Sequence, residues 1–169
     1  MSGIYLKDLV ELRKVEWSRS WTWDIKFEDD SLPEPFKNWF PATDVEEGIF
    51  NLEPYQITAG LGTFEIPKSW TMLSLSITFV DNADLVLEHW LDKWVNETIF
   101  GGGTYVATLE EAVKTVHVAK LNGKRELVAS SSYLVFPTGP FNFSGTSTSE
   151  IPTHQVEFRI CRILSKQTF

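Results

Sequence analysis

The chain has 169 residues, 43% hydrophobic and 14% aromatic, with a formal net charge of −8; this length suits one domain that buries roughly two-thirds of its unfolded surface. The negative charge argues against a duplex-DNA binder held by phosphate contacts, and a single cysteine, Cys161, excludes an internal disulfide and suits a reducing compartment. No apolar run is long enough to span a bilayer, and the charged stretch 1–17 lacks the apolar core of a signal peptide.

Residues 5–14 place Leu6, Leu9 and Val10 on one side of a short helix, or form an arm that orders on a neighbour. The first strand is the best patterned. Trp21, Trp23, Ile25 and Phe27 alternate with Thr22, Asp24 and Lys26, giving one apolar and one polar face. Pro33 and Pro35 end it. Residues 33–68 are irregular, with strand-like pieces near 48–52, 55–59 and 62–66. Their apolar residues argue against a solvated linker. We expect an arm or long hairpin here, with Trp39, Phe40, Ile49, Phe50 and Tyr55 as contact residues.

A second strand is expected over 70–80. Leu73, Leu75, Ile77 and Phe79 face one way and Met72, Ser74, Ser76 and Thr78 the other, a small polar face suited to water or a partner. An amphipathic helix follows at once. Leu87, Trp90, Leu91, Trp94 and Val95 form its apolar stripe, with Asp81 or Asn82 as cap and Asp84 in the first turn. Burial under the helix is expected for Leu87, Trp90, Leu91 and Trp94. Three glycines, Gly101–Gly103, stop it. Asn122-Gly123 joins two strand-like runs, 113–121 and 124–136, as a hairpin. The last strand, 153–164, alternates Val156, Phe158 and Ile160 with polar residues and is expected to pair near the first strand. The sum is a mainly β fold: an antiparallel β-sandwich or partly closed barrel of about six to seven strands with one flanking α-helix. It forms a single domain over 1–169, with an N-terminal segment 1–16 and an arm at 33–68.

No catalytic constellation stands out. His89, His117 and His154 sit one per element and, with Cys161, lack a metal-ligand spacing. The pairs Glu46-Glu47 and Glu110-Glu111 are adjacent, so they do not converge on one site. Cys161 has no neighbouring base and reads as a packed small hydrophobe. No enzyme activity, metal or cofactor is expected. Charge is uneven along the chain: residues 1–100 hold 18 acids against 8 bases, residues 101–169 hold 5 against 7. An ordinary acidic surface accounts for this, as do two opposed faces that meet when copies associate.

The order of these elements resembles the tail tube proteins of contractile-tailed bacteriophages. The likeness spans roughly 20–164. It is carried by a strand running into an acid-capped, Trp-bearing helix (ITFVDNADLVLEHWLDKW), the Phe136-Pro137-Thr138 step before a polar loop, and the closing IPTHQVEFRICRIL. The resemblance implies a structural virion protein assembled in a host cytoplasm. Six copies would form a ring, and rings would stack into a tube through which DNA passes without specific binding. Sheath and baseplate or tail-terminator proteins are the partners it implies. It covers tube-initiating baseplate proteins and secretion-system tubes as well. A small-ligand-binding β-barrel is the alternative from a different class.

Overall fold

A computed structural model describes residues 23–34, 36–48, 50–70, 73–144 and 151–169. The expectations for the segment 1–16 and for Trp21, Thr22, Ile49 and Met72 fall outside those residues. Nine strands are present among them: β1 (Trp23–Glu28), β2 (Ala42–Glu47), β3 (Leu52–Ala59), β4 (Gly62–Trp70), β5 (Ser74–Val80), β6 (Lys114–Leu121), β7 (Leu127–Pro137), β8 (Asn142–Ser144) and β9 (Thr153–Thr168). One helix, α1 (Val86–Lys93), widens into π-type turns over Trp94–Ile99, and a single short turn of helix, α2, covers Leu109–Ala112.

Seven strands form one antiparallel sheet in the order β1-β6-β7-β9-β5-β2, with β8 beside the start of β9. The sheet curls into a half-barrel. Its inner face carries the alternating apolar residues of each strand: Ile25 and Phe27, Val116 and Val118, Tyr133 and Val135, Val156 and Phe158, Leu75, Ile77 and Phe79. Leu87, Trp90, Leu91 and Trp94 of the helix are buried against this face. Ring packing knits the two layers: Phe27 lies 5.4 Å from Trp90 and Phe158 lies 5.8 Å from Trp94. The aromatic rings therefore fill the concavity that a ligand-binding barrel would leave open.

The first and last strands are not neighbours. β1 pairs with β6, and β9 lies between β7 and β5. The β6–β7 hairpin occupies the two places between them, because period-two patterning sets which face is buried but not which strand is adjacent. The chain just ahead of β2 reaches the other margin, β1, through a backbone hydrogen bond from the Phe40 N–H to the Ile25 carbonyl, 2.9 Å. That link makes Phe40 a core residue. Its ring is fully buried, 5.1 Å from both Phe27 and Phe79, so it is not a contact residue of an arm.

Three further elements differ from their sequence reading. Residues 70–80 divide between the end of β4 and β5 rather than making one strand. The Asn122-Gly123 connection is a five-residue loop, 122–126, with Arg125 at φ 64. Asn122 Oδ1 accepts from the backbone N–H of Lys124 and Glu126, so the side chain organises the turn in place of a tight two-residue bend. The helix starts at Val86, after Leu85 at φ 53, so Asp84 precedes the first turn and Glu88 takes that place. Asp81 caps it from upstream: its carboxylate accepts from the Leu87 N–H at 3.1 Å and the Glu88 N–H at 2.8 Å. Asn82 Oδ1 accepts from Val86 N–H. Asp81→Ala is expected to lower the unfolding free energy by about 1–2 kcal/mol, since it strips the cap from two helix donors; urea denaturation measures it. At the far end Gly101, Gly102 and Gly103 all adopt positive φ, and a Cβ on Gly101 would lie 2.4 Å from the Tyr105 ring.

Candidate assembly surface

The hairpin β3–β4 stands apart from the half-barrel as its own two-stranded sheet. Its register pairs Tyr55 with Ile66 and Ile57 with Phe64 on one face, and Gln56 with Glu65 and Thr58 with Thr63 on the other. The polar face closes on itself, with Gln56 Nε2 donating to Glu65 Oε1 at 2.7 Å. Among the described residues the apolar face has no cover: Tyr55, Phe64 and Ile66 are 52%, 51% and 41% exposed, and Leu61 at the turn is wholly exposed. An isolated hairpin is marginal in water, and contiguous apolar surface of this kind marks a contact site.

Of the expected arm residues, Trp39, Phe50 and Tyr55 are exposed and Phe40 is buried. Of the expected arm, 33–68, residues 52–68 lie in the separate hairpin, which runs on to Trp70. Phe36 and Val45 pack against the core, and β2 is a strand of the main sheet. Leu61, Phe64 and Ile66 are absent from the sequence-derived set. Their signal was the alternation Thr63-Phe64-Glu65-Ile66 mirroring Tyr55-Gln56-Ile57 across Gly60-Leu61-Gly62.

The face of the main sheet turned away from the core is polar. Ser74, Ser76 and Thr78 are half-buried at its centre. They are flanked in register by Glu46 and Asp44 from β2 and by Arg159, Glu157 and Gln155 from β9. Asp24, Lys26 and Glu28 of β1 lie on the same face, since Ile25 and Phe27 point inward. Acids outnumber bases five to two among these named face residues. Among the described residues both margin strands, β1 and β2, have a strand on one side only, as does the end of β9 beyond Ile160, where the ladder to β5 stops.

Titratable groups serve the fold. Asp29 Oδ2 accepts from the Trp90 indole N–H at 2.7 Å and from Lys114 Nζ at 2.6 Å. Burial pushes the Asp29 carboxyl up, but the hydrogen bonds from Lys114, Ser31 and Trp90 outweigh it and hold it below the usual value. Glu47 of β2 reaches into the half-barrel to pair with Tyr133 and Lys120. Burial, reinforced by Glu47, pushes the Tyr133 phenol up. Glu111 closes a capping box with Thr108, whose backbone and hydroxyl hydrogen bonds lower its carboxyl. Burial raises the half-buried Cys161 thiol. Among the described residues no group of three His, Cys, Asp or Glu side chains could hold a metal ion.

No family model and no curated protein matches the chain in sequence. Solved structures match it in fold. A chain of the sheath–tube complex of an extracellular contractile injection system (PVC, extended state) is 13% identical with a TM-score of 0.65, covering 95% of this chain and 97% of that one. A chain of the anti-feeding prophage tube-terminating cap is 16% identical at 0.63, covering 92% and 94%. A chain from the tail of an empty GTA particle, with C6 symmetry, is 12% identical at 0.54, covering 90% and 99%. At these identities the likeness is one of fold, and the fold is that of tail tubes.

Proposed function

We propose that the protein is a structural subunit of a contractile-tail tube, with no catalytic role. The observation that carries this reading is the hairpin: a folded, one-sided apolar element, uncovered among the described residues, on a half-barrel whose sheet margins are one-sided among those residues. Identical copies set side by side consume such margins, which otherwise invite uncontrolled pairing. Six copies complete a ring, in keeping with the sixfold symmetry of one matching tail. Ring-to-ring contact between unlike surfaces is heterologous and stays open along the axis, which gives a tube.

The polar sheet face bearing Ser74, Ser76 and Thr78 lines the channel in this reading. Its excess of acids repels phosphates, so a nucleic acid slides without sticking. Matches in a sheath–tube complex and a tube-terminating cap favour a sheath and a terminator as partners. A tail particle is then the place of action. Electron microscopy of the purified protein is expected to show sixfold rings or stacked tubes with a central hole; monomers alone at every salt and at high concentration would sink the proposal.

The hairpin supplies a sharper test. Replacing residues 53–69 with a short Gly-Ser linker is expected to shift the melting temperature by no more than a few degrees, because the hairpin forms a sheet separate from the half-barrel. The same deletion should abolish tubes in sedimentation and microscopy. Loss of the folded state instead would make the hairpin part of the core.

A further inference from the structure

Among the described residues the β3–β4 hairpin forms a sheet of its own, so its direction is set where it joins the half-barrel. Two backbone hydrogen bonds secure that root on one flank. The Gly48 N–H donates to the Ser74 carbonyl at 2.9 Å, and the Ile160 N–H donates to the Leu73 carbonyl at 2.9 Å. The chain passes so close at Gly48 that a Cβ there would lie 3.1 Å from the Ser74 carbonyl oxygen. Both bonds lie on the side of β5 and β9. A ribbon held along one flank alone can swing about it.

Glu47, the last residue of β2, supplies the opposite hold. Its side chain is only 7% exposed and crosses the concave face, past β5 and β9, to β7 and β6. Glu47 Oε1 accepts from the Tyr133 O–H, and Oε2 pairs with Lys120 Nζ. Among the described residues no hydrogen bond reaches Oε2, so the Lys120 ammonium is its compensation. Tyr133 is itself fixed: its ring is fully buried, and Lys166 Nζ stands 5.8 Å over it. An apolar side chain at this position would fill the same space without choosing an angle. A carboxylate with two partners accepts one arrangement, and a buried charge pair can specify an arrangement without adding net stability. The Lys120 side chain is 47% exposed, so its ammonium returns to water when the pair is lost.

We propose that Glu47 is a positioning residue for assembly: through Lys120 and Tyr133 it fixes the direction of the hairpin before a second copy arrives. The inference rests on the self-assembly reading, and a preset hairpin has less freedom to lose on contact. The test is double electron–electron resonance between spin labels on Leu61→Cys, at the hairpin turn, and Thr98→Cys, beyond α1, in a Cys161→Ser background. Labelled protein is diluted in a large excess of unlabelled protein, so that only distances within one chain are read. The parent is expected to give one narrow distance distribution. Glu47→Gln, which keeps an acceptor for Tyr133, and Lys120→Gln are each expected to broaden it, with the melting temperature moved by no more than a few degrees. The concentration needed for assembly should rise severalfold in both. A distribution that is already broad in the parent, or equally narrow in both variants, would overturn the inference. So would a fall in melting temperature of about 10 °C or more in both, the sign of a tie that holds the core together. Failure of the unaltered protein to assemble would overturn the self-assembly reading, while the distance distributions would still show whether Glu47 directs the hairpin.

Discussion

Trp94→Ala is expected to destabilise the subunit by about 3–5 kcal/mol, the range for removing a large aromatic from a packed core. Trp94 is 2% exposed and stands where α1 passes into π-type turns. Its ring lies 5.4 Å from Trp90 and 6.4 Å from Phe27, and Lys114 Nζ sits 5.2 Å over its face. Its indole N–H donates to the Ala112 carbonyl at 2.9 Å, which ties the helix to the short α2 turn. Trp94→Phe separates the two effects. It keeps most of the packing and removes the donor, and about 1–3 kcal/mol is expected from the stranded carbonyl. Chemical denaturation of both variants measures the difference. A loss below about 1 kcal/mol for Trp94→Ala would mean that the helix does not cap the half-barrel.

Asp29→Ala is expected to cost about 3 kcal/mol, the lower end for breaking a buried ion pair. The side chains of Asp29 and Lys114 are only 9% and 17% exposed, and the substitution strands both the ammonium and the Trp90 indole N–H. The pH dependence has a definite sign. The folded Asp29 carboxyl titrates below its ordinary value of 3.8. Its contribution is therefore fully present above that pH and is lost as pH falls through the lower folded value. Denaturation midpoints of the unaltered protein should drop in that acid window, and Asp29→Ala should show a shallower drop there. Equal acid sensitivity of the two proteins would contradict the assignment.

Much of the fold was legible because one-sided burial writes itself into periodicity. The apolar and polar alternation in β1, β5 and β9, and the i, i+3, i+4 stripe of Leu87, Trp90, Leu91 and Trp94, each follow from a single buried face. β2 was not legible. Its six residues, Ala-Thr-Asp-Val-Glu-Glu, include three acids, and as a margin strand it buries little. Phe40 misled for a related reason. It lies in a proline-rich stretch that looks like an exposed arm, yet its backbone bonds to β1 and carries its ring inside. The candidate assembly surface was half legible: Tyr55 was marked, but the full apolar face needs the pairing of β3 with β4 that sets Phe64 and Ile66 beside it.

The chain's pattern by itself determined a curled antiparallel β framework with one helix laid on its apolar face, because hydrophobic burial at periods of two and 3.6 is a local property. Only the tertiary structure decided which strands are neighbours, that β1 and β2 form margins, and that the β3–β4 hairpin forms a sheet of its own. Those features depend on contacts between residues far apart in the chain, and side-chain periodicity does not encode which distant partner a strand or a charge will meet.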